Sequence, residues 1–268
     1  MLRRRKRDSR GPKPGTAPRP GPSAAPEQAV PRTRRRAREH TPVPEEFTLS
    51  SARPPEVVLV TGFEPFGGED TNPSWDACTQ LPREIAGMRV ERCLVPCEFR
   101  RAIEVVAESI ERLRPTLVVC LGQAGGRARL GIERVAINLD DARIPDNVGN
   151  QPVDERVAAN GPPAYFASLP VKAMAAAARA AGVPAEVSNT AGTFVCNHLM
   201  YGVLHYLEAS GYRTRAGFIH VPYSESQAAN HRDSPSMAVS TMVRGIVAAI
   251  AAARGHRHDI RAPEGALD

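Results

Sequence analysis

The chain has 268 residues, 42% of them hydrophobic and 24% charged, ordinary proportions for a globular protein. Its formal charge of +6 is unevenly placed: residues 1–55 carry 14 Lys and Arg against 5 Asp and Glu, a balance of +9, which leaves −3 on residues 56–268. No run reaches the roughly 18 apolar residues of a membrane span, and five cysteines at irregular spacing (78, 93, 97, 120 and 196) argue against a disulfide framework.

Residues 1–55 hold a large share of the prolines, with Gly, Ala, Ser and Arg and almost no aliphatic or aromatic side chains. Such a segment cannot bury enough apolar surface to offset its ordering entropy, so a disordered basic tail is expected there. Its clusters Arg3–Arg7 and Arg32–Arg38 suit contact with nucleic acid or an anionic surface, and equally suit simple solvation. Arg3, Arg4 and Arg5 do not open a secretory or twin-arginine leader, because no apolar stretch of roughly 7–15 residues follows before Pro12. A cytoplasmic protein with free thiols is the expectation. Cys93 and Cys97 lack a second ligand pair, so no metal or other cofactor is called for.

A folded domain is expected over 56–268. Val57–Val60 is a short apolar run ending at Thr61-Gly62, which reads as a buried strand stopped by a turn, and similar runs recur at Leu117–Leu121 and Gly217–Val221. Between them lie helical spacings: Ile103, Val106, Ala107, Ile110; then Leu199, Val203, Tyr206, Leu207; then Met242, Val243, Ile246, Ile250. Val171–Ala181 is an Ala-rich helix stopped by Gly182. Short buried strands alternating with helices predict an α/β protein, a single-domain three-layer α/β/α sandwich around a mostly parallel mixed sheet. Thr61–Trp75 and Gly122–Gln151 break the pattern and read as functional loops at the carboxyl ends of strands. Beyond Arg254 the chain is polar and expected to fray.

Cys196 stands where a small-residue loop enters a helix. Exposed N–H groups and the helix dipole there would lower a thiol pKa and receive an oxyanion, although a structural cysteine would fit the same segment. His220 ends the run Gly217-Phe-Ile-His and faces a loop opened by Val-Pro-Tyr; it suits a catalytic or an ordinary hydrogen-bonding histidine. His198 and His205 read as structural, and His40, His231, His256 and His258 sit in polar segments without an evident partner. For an acidic partner of His220, Glu133, Asp140, Asp141 and Asp146 are all available. Glu133-Arg-Val-Ala-Ile-Asn alternates like a strand with Glu133 at its start, where it would orient His220 or pair with an arginine. Gly122-Gln-Ala-Gly-Gly-Arg matches no nucleotide-binding pattern and reads as a loop admitting substrate to backbone amides.

Longer strings go further. Val60-Thr-Gly-Phe-Glu-Pro-Phe-Gly-Gly with Asn72-Pro-Ser-Trp, Gly122-Gln-Ala-Gly-Gly-Arg, Glu133-Arg-Val-Ala-Ile-Asn, Asp141-Ala-Arg-Ile-Pro-Asp-Asn, Thr190-Ala-Gly-Thr-Phe-Val-Cys-Asn-His and Phe218-Ile-His-Val-Pro-Tyr occur in that order between Val57 and Ala253. The set resembles the signatures of the type I pyroglutamyl peptidases, or pyrrolidone carboxyl peptidases. The resemblance implies a cysteine peptidase that removes N-terminal pyroglutamate through a thioester, with Cys196 as nucleophile, His220 as general base and acid, and Glu133 orienting it. It also implies that Arg143 supports the oxyanion, that Phe63, Phe66 and Phe194 sandwich the lactam ring, and that Gln123 and Asn72 line the pocket's polar edge. Its partners would be pyroglutamyl peptides and further copies of itself in a homo-oligomer such as a tetramer. The tail lies outside the pattern, and Ser224, in Ser-Glu-Ser-Gln after Tyr223, departs from it close to His220.

Overall fold

A computed structural model describes residues 56–265; the expected tail at 1–55 lies outside the described residues. The elements run β1 (Val57–Phe63), α1 (Pro73–Gln80), β2 (Glu84–Ile85), β3 (Met88–Val95), α2 (Arg101–Leu113), β4 (Leu117–Gln123), β5 (Leu130–Glu133), β6 (Val135–Ile137), β7 (Ala164–Phe166), α3 (Val171–Ala180), β8 (Ala185–Ser188), α4 (Val195–Ala209), β9 (Arg215–Val221), α5 (Glu225–Ala228) and α6 (Val239–Gly255). Seven strands form one sheet in the order β2-β3-β1-β4-β9-β5-β8, and β6 pairs with β7 apart from it. The pairs β1–β3, β1–β4, β4–β9 and β5–β8 are parallel, whereas β2–β3 and β5–β9 are antiparallel. The expected mostly parallel mixed sheet is therefore present.

Strands that are apolar at every position must be covered on both faces. Here successive residues of one strand enter different cores. Val58, Val60, Leu117, Val119, Leu121, Ile219 and Val221 pack with α1, α3 and α6, and Leu59, Val118, Cys120, Ala216 and Phe218 pack with α2 and α4. The three layers follow from that two-residue alternation. The same rule assigns polar residues at the strand ends: His220 shares its face with Phe218, and Glu133 lies opposite in phase to Ile132, so both project toward α4.

Several boundaries differ from expectation. β1 and β4 extend beyond their apolar runs, because Thr61, Gly122 and Gln123 keep the ladder despite their composition, and β9 starts earlier, at Arg215, which pairs with Leu117. Glu133 does not begin a strand running to Asn138; it closes β5, and β6 beyond Arg134 belongs to the small hairpin. The described chain from Arg254 to residue 265 is not frayed. Asp259 accepts hydrogen bonds from the backbone N–H groups of Lys172 (3.0 Å) and Ala173 (2.9 Å), capping α3, whose own N-cap is Pro170. Lys172 Nζ donates to the Ala262 carbonyl at 2.7 Å, and Arg179 pairs with Glu264. A polar composition concealed this strap because it is held by hydrogen bonds and charge.

Removing a side-chain cap costs about 0.5–2 kcal/mol. Asp259→Ala should therefore lower Tm by about 2–4 °C per kcal/mol lost, measured by differential scanning calorimetry. An unchanged Tm would show that the strap contributes nothing.

Candidate active site

Three adjacent strands build the floor of the site. In the β4–β9 ladder Gly122 stands beside His220, and in the β9–β5 ladder Gly131 stands beside His220 on the other side. Glu133 faces Phe218, which makes it the diagonal neighbour of His220 across an antiparallel pair. Their side chains close that diagonal: His220 Nδ1–H donates to Glu133 Oε1 at 2.7 Å, with His220 buried and Glu133 wholly so. The tautomer that results presents Nε2 as the free acceptor.

Cys196 is the second residue of α4, behind an N-cap, Phe194, that offers no side-chain acceptor. The first-turn N–H groups of this helix thus have no capping side chain. A β-carbon at Gly122 would stand 2.9 Å from Cys196 Sγ and 2.6 Å from the Phe218 ring, so the absent side chain is what lets the thiol approach the sheet. Among the described residues no hydrogen bond joins Sγ to His220.

The electrostatics overturn one expectation. The helix start was expected to lower the thiol pKa, yet burial pushes Cys196 up to about 12, Glu133 adds to the rise and Arg127 opposes it. Cys196 keeps partial solvent exposure, but protein crowds the sulfur itself. A desolvated thiol next to a buried carboxylate outweighs a half-charge dipole, so Cys196 at rest is a neutral thiol. Glu133 shifts in the opposite direction. Burial alone would raise it, but the His220 hydrogen bond and charge, the Ser188 hydroxyl and Arg127 together hold it below the usual carboxylate range.

The other acidic candidates are engaged elsewhere. Asp146 accepts from the N–H groups of Phe99 (2.9 Å), Val148 (3.1 Å) and Asn150 (2.7 Å), which organises its loop. Asp140 Oδ2 accepts from His198 Nδ1 at 2.8 Å, a second buried His–carboxylate pair. It differs from the first in one respect: His198 Nε2 already accepts the Arg100 N–H at 2.7 Å, so no basic lone pair is left. Asn197, fully buried, bonds Ile137 N and the carbonyls of Ile137 and Leu139, each at 2.9 Å. In the string Cys196-Asn-His the last two residues thus clip segment 137–140 to the helix. A cavity of about 530 Å³ beside His198 and Asp140 contains none of Cys196, His220 and Glu133.

The remaining expected residues divide. Phe66 and Phe194 face each other with centroids 6.1 Å apart and planes inclined 36°, and Phe99 meets Phe194 edge-on at 5.5 Å. Phe63 is buried at the end of β1. Gln123 ends β4, and its Oε1 accepts Gln227 Nε2 at 3.0 Å. Asn72 has a structural task in the fold. It is the buried N-cap of α1, accepting from Ser74 N and Oγ (3.1 and 2.7 Å) and donating to the Glu64 carbonyl (2.9 Å), with Pro73 at N1. Arg143 is exposed and forms no hydrogen bond or ion pair among the described residues.

Two residues were missed. Arg127, noted only as the end of a glycine-rich loop, donates to Glu133 Oε1 at 2.7 Å. His231, read as partnerless, bonds Glu69 Oε1 at 2.5 Å and stacks on Tyr223 at 4.4 Å. Ser224, the departure near His220, is a buried N-cap closing a capping box with Gln227, so it orders the loop.

A family model described as Pyroglutamyl peptidase matches residues 56–256. The chain belongs to the pyroglutamyl peptidase family. It is 54% identical over 213 residues to the pyrrolidone-carboxylate peptidase of Cupriavidus taiwanensis, covering 78% of this chain and 98% of that one. The corresponding protein of Erwinia tasmaniensis is 51% identical over 210 residues, with the same coverage. Among solved structures, pyroglutamyl peptidase I of Bacillus amyloliquefaciens superposes with TM-score 0.75 at 42% identity, over 78% of this chain and 100% of that one. The pyrrolidone carboxyl peptidase of Thermococcus litoralis gives 0.74 at 38%, over 78% and 99%.

A thiol pKa of about 12 sets how Cys196 of the free enzyme meets an alkylator. The rate of iodoacetamide labelling at this residue, followed by peptide mass spectrometry, should climb through pH 9 and 10, as the thiolate fraction does. A plateau already reached below pH 7 would reveal a preformed thiolate.

Proposed function

We propose that this chain is a cysteine-type omega-peptidase that hydrolyses the N-terminal pyroglutamyl residue of peptides through a thioester. The observation that carries the reading is the buried Glu133–His220 hydrogen bond, on the same sheet face as the helix start that holds Cys196. Membership in the family supplies the substrate.

The chemistry follows from the protonation states. Cys196 is a neutral thiol, so the nucleophile has to be made during attack. His220 Nε2 takes the Sγ proton as sulfur adds to the pyroglutamyl carbonyl, and Glu133 stabilises the imidazolium. Uncapped N–H groups of the first α4 turn receive the oxyanion, and Arg143 supports the oxyanion or the site around it, as the resemblance implies. Nε2–H then protonates the departing amine. In the second half His220 activates water, which cleaves the thioester and restores the thiol.

Selectivity comes from a small apolar slot. Pyroglutamate is flat and uncharged, suited to aromatic walls and a few polar contacts. Phe66 and Phe194 are the walls, Phe63 the inner end. Stacking a ring between two others needs about 7 Å, twice a carbon contact of ~3.5 Å, so the 6.1 Å pair opens by about an ångström on binding. With its Oε1 held by Gln227, Gln123 directs its amide N–H groups away to donate to the lactam carbonyl. A charged α-amino group would enter this slot unpaired, and that cost rejects ordinary N-termini.

Five cysteines free of disulfides fit a reducing, cytoplasmic setting, and the homo-oligomer is carried over from the resemblance. No helix among the described residues is long and apolar enough to cross a membrane.

Release of aminocoumarin from a pyroglutamyl-aminocoumarin substrate tests the reading. Cys196→Ala should abolish it in a protein whose circular dichroism is unchanged. His220→Ala and Glu133→Gln should each lose about 10²–10⁴-fold in kcat. Activity retained by folded Cys196→Ala would overturn the nucleophile assignment.

A further inference from the structure

Glu133 is compensated in an uneven way. Both of its hydrogen bonds from basic side chains end on one oxygen, Oε1, which accepts His220 Nδ1–H and Arg127 Nη1–H at 2.7 Å each. The other oxygen, Oε2, is buried and has no hydrogen-bond partner among the described residues. One of the two donors, His220, gains and loses a proton in every catalytic cycle. Whenever the imidazole is neutral, Arg127 is the formal positive charge remaining at the carboxylate.

A second observation shows that the fold reserves space for this guanidinium. A β-carbon at Gly131 would lie 2.6 Å from Arg127 Nη1, so the strand position beside His220 is vacant where the arginine enters. The same side chain also reaches across the sheet edge. Nη1 lies 3.5 Å from Ser188 Oγ at the end of β8, and Nη2 donates to the Thr190 carbonyl at 3.2 Å. Thr190 belongs to the loop that delivers Phe194 and Cys196.

We propose that Arg127 is a positioning residue of this site, a permanent cation that keeps Glu133 ionised and turned to His220 while anchoring the loop ahead of the Cys196 helix. The proposal rests on the Cys196–His220–Glu133 reading above. Its logic is that of a buried ion pair with one intermittent partner. An uncompensated carboxylate in that position would be costly and would take up a proton, and a protonated Glu133 could no longer stabilise the imidazolium. Arg127 removes that penalty in both halves of the cycle. It is partly exposed on the wall of a cavity of about 640 Å³, beside Arg129, Arg179, Glu186 and Glu264, so solvation lightens the cost of its own charge. The groups whose titration it touches are Glu133 and Cys196. Loss of a cation favours the protonated form of each, and each titration moves to higher pH.

The test is the pH profile of kcat/KM for full-length Arg127→Gln and Arg127→Lys on the pyroglutamyl-aminocoumarin substrate, beside wild type and Cys196→Ala. Arg127→Gln should shift the acid limb upward by about one pH unit or more, with the loss mainly in kcat. Arg127→Lys, which keeps the charge, should restore the wild-type limb. An Arg127→Gln limb that stays in place while the rate falls uniformly would reduce Arg127 to a structural contact and overturn the proposal. Should Arg127→Gln not fold, a displaced limb in folded Arg127→Lys overturns it equally. Cys196→Ala separates the two levels: activity there sinks the triad itself, whereas an inactive Cys196→Ala with an unmoved Arg127→Gln limb sinks only the role of Arg127.

Discussion

The buried carboxylate of Glu133 is the constraint around which this site is organised. A wholly buried acidic side chain is tolerated only with partners of opposite charge and good geometry. Supplying them dictates much of the local architecture. β5 must run antiparallel to β9 to set Glu133 diagonally from His220, although β5 is parallel to its other neighbour, β8. Gly131 must lack a side chain to admit Arg127, and Gly122 must lack one to admit Cys196 Sγ. The same charge makes the thiolate harder to form, since Glu133 stands among the causes that raise the Cys196 thiol. The carboxylate that accepts the His220 N–H thus also opposes a free thiolate at Cys196.

The fold was legible where hydrophobic periodicity decides structure. Val57–Val60, Leu117–Leu121 and Gly217–Val221 lie within the three central strands, and Val171–Ala181 followed by Gly182 matches α3 to within one residue. Ladder extensions through Thr61, Gly122 and Gln123 were not legible, because glycine and polar residues at strand ends look like turns until neighbouring strands are known. β5 was hidden for a related reason. Four residues, one of them glycine, carry too little pattern against the cleaner alternation of 133–138, so Glu133 was placed at the wrong end of a strand.

The site was legible by residue type and opaque by contact. Among seven histidines, the sequence set His198 aside as structural and left His220 either catalytic or an ordinary hydrogen-bonding residue, yet both meet a carboxylate in the fold. What distinguishes them is the Arg100 backbone N–H that occupies His198 Nε2, a contact spanning 98 residues of sequence. The ordered signature strings carried the assignment instead. Asn72 shows the converse difficulty, because an Asn-Pro-Ser run that resembles a pocket motif is also a good helix start. In this protein its side chain caps that start and ties it to the Glu64 carbonyl.

The two glycines beside His220 carry a consequence for how the gene can change. Every missense substitution of a glycine codon adds at least a β-carbon. At Gly122 that atom would fall within 3 Å of the Phe218 ring and the Cys196 sulfur, and at Gly131 within 3 Å of the Arg127 guanidinium. At Gly122 a ring and a sulfur would both have to shift, and at Gly131 the tip of a flexible arginine could swing aside only by leaving Glu133. A change at either codon therefore reaches the Cys196, His220 and Glu133 cluster through a neighbour that must move.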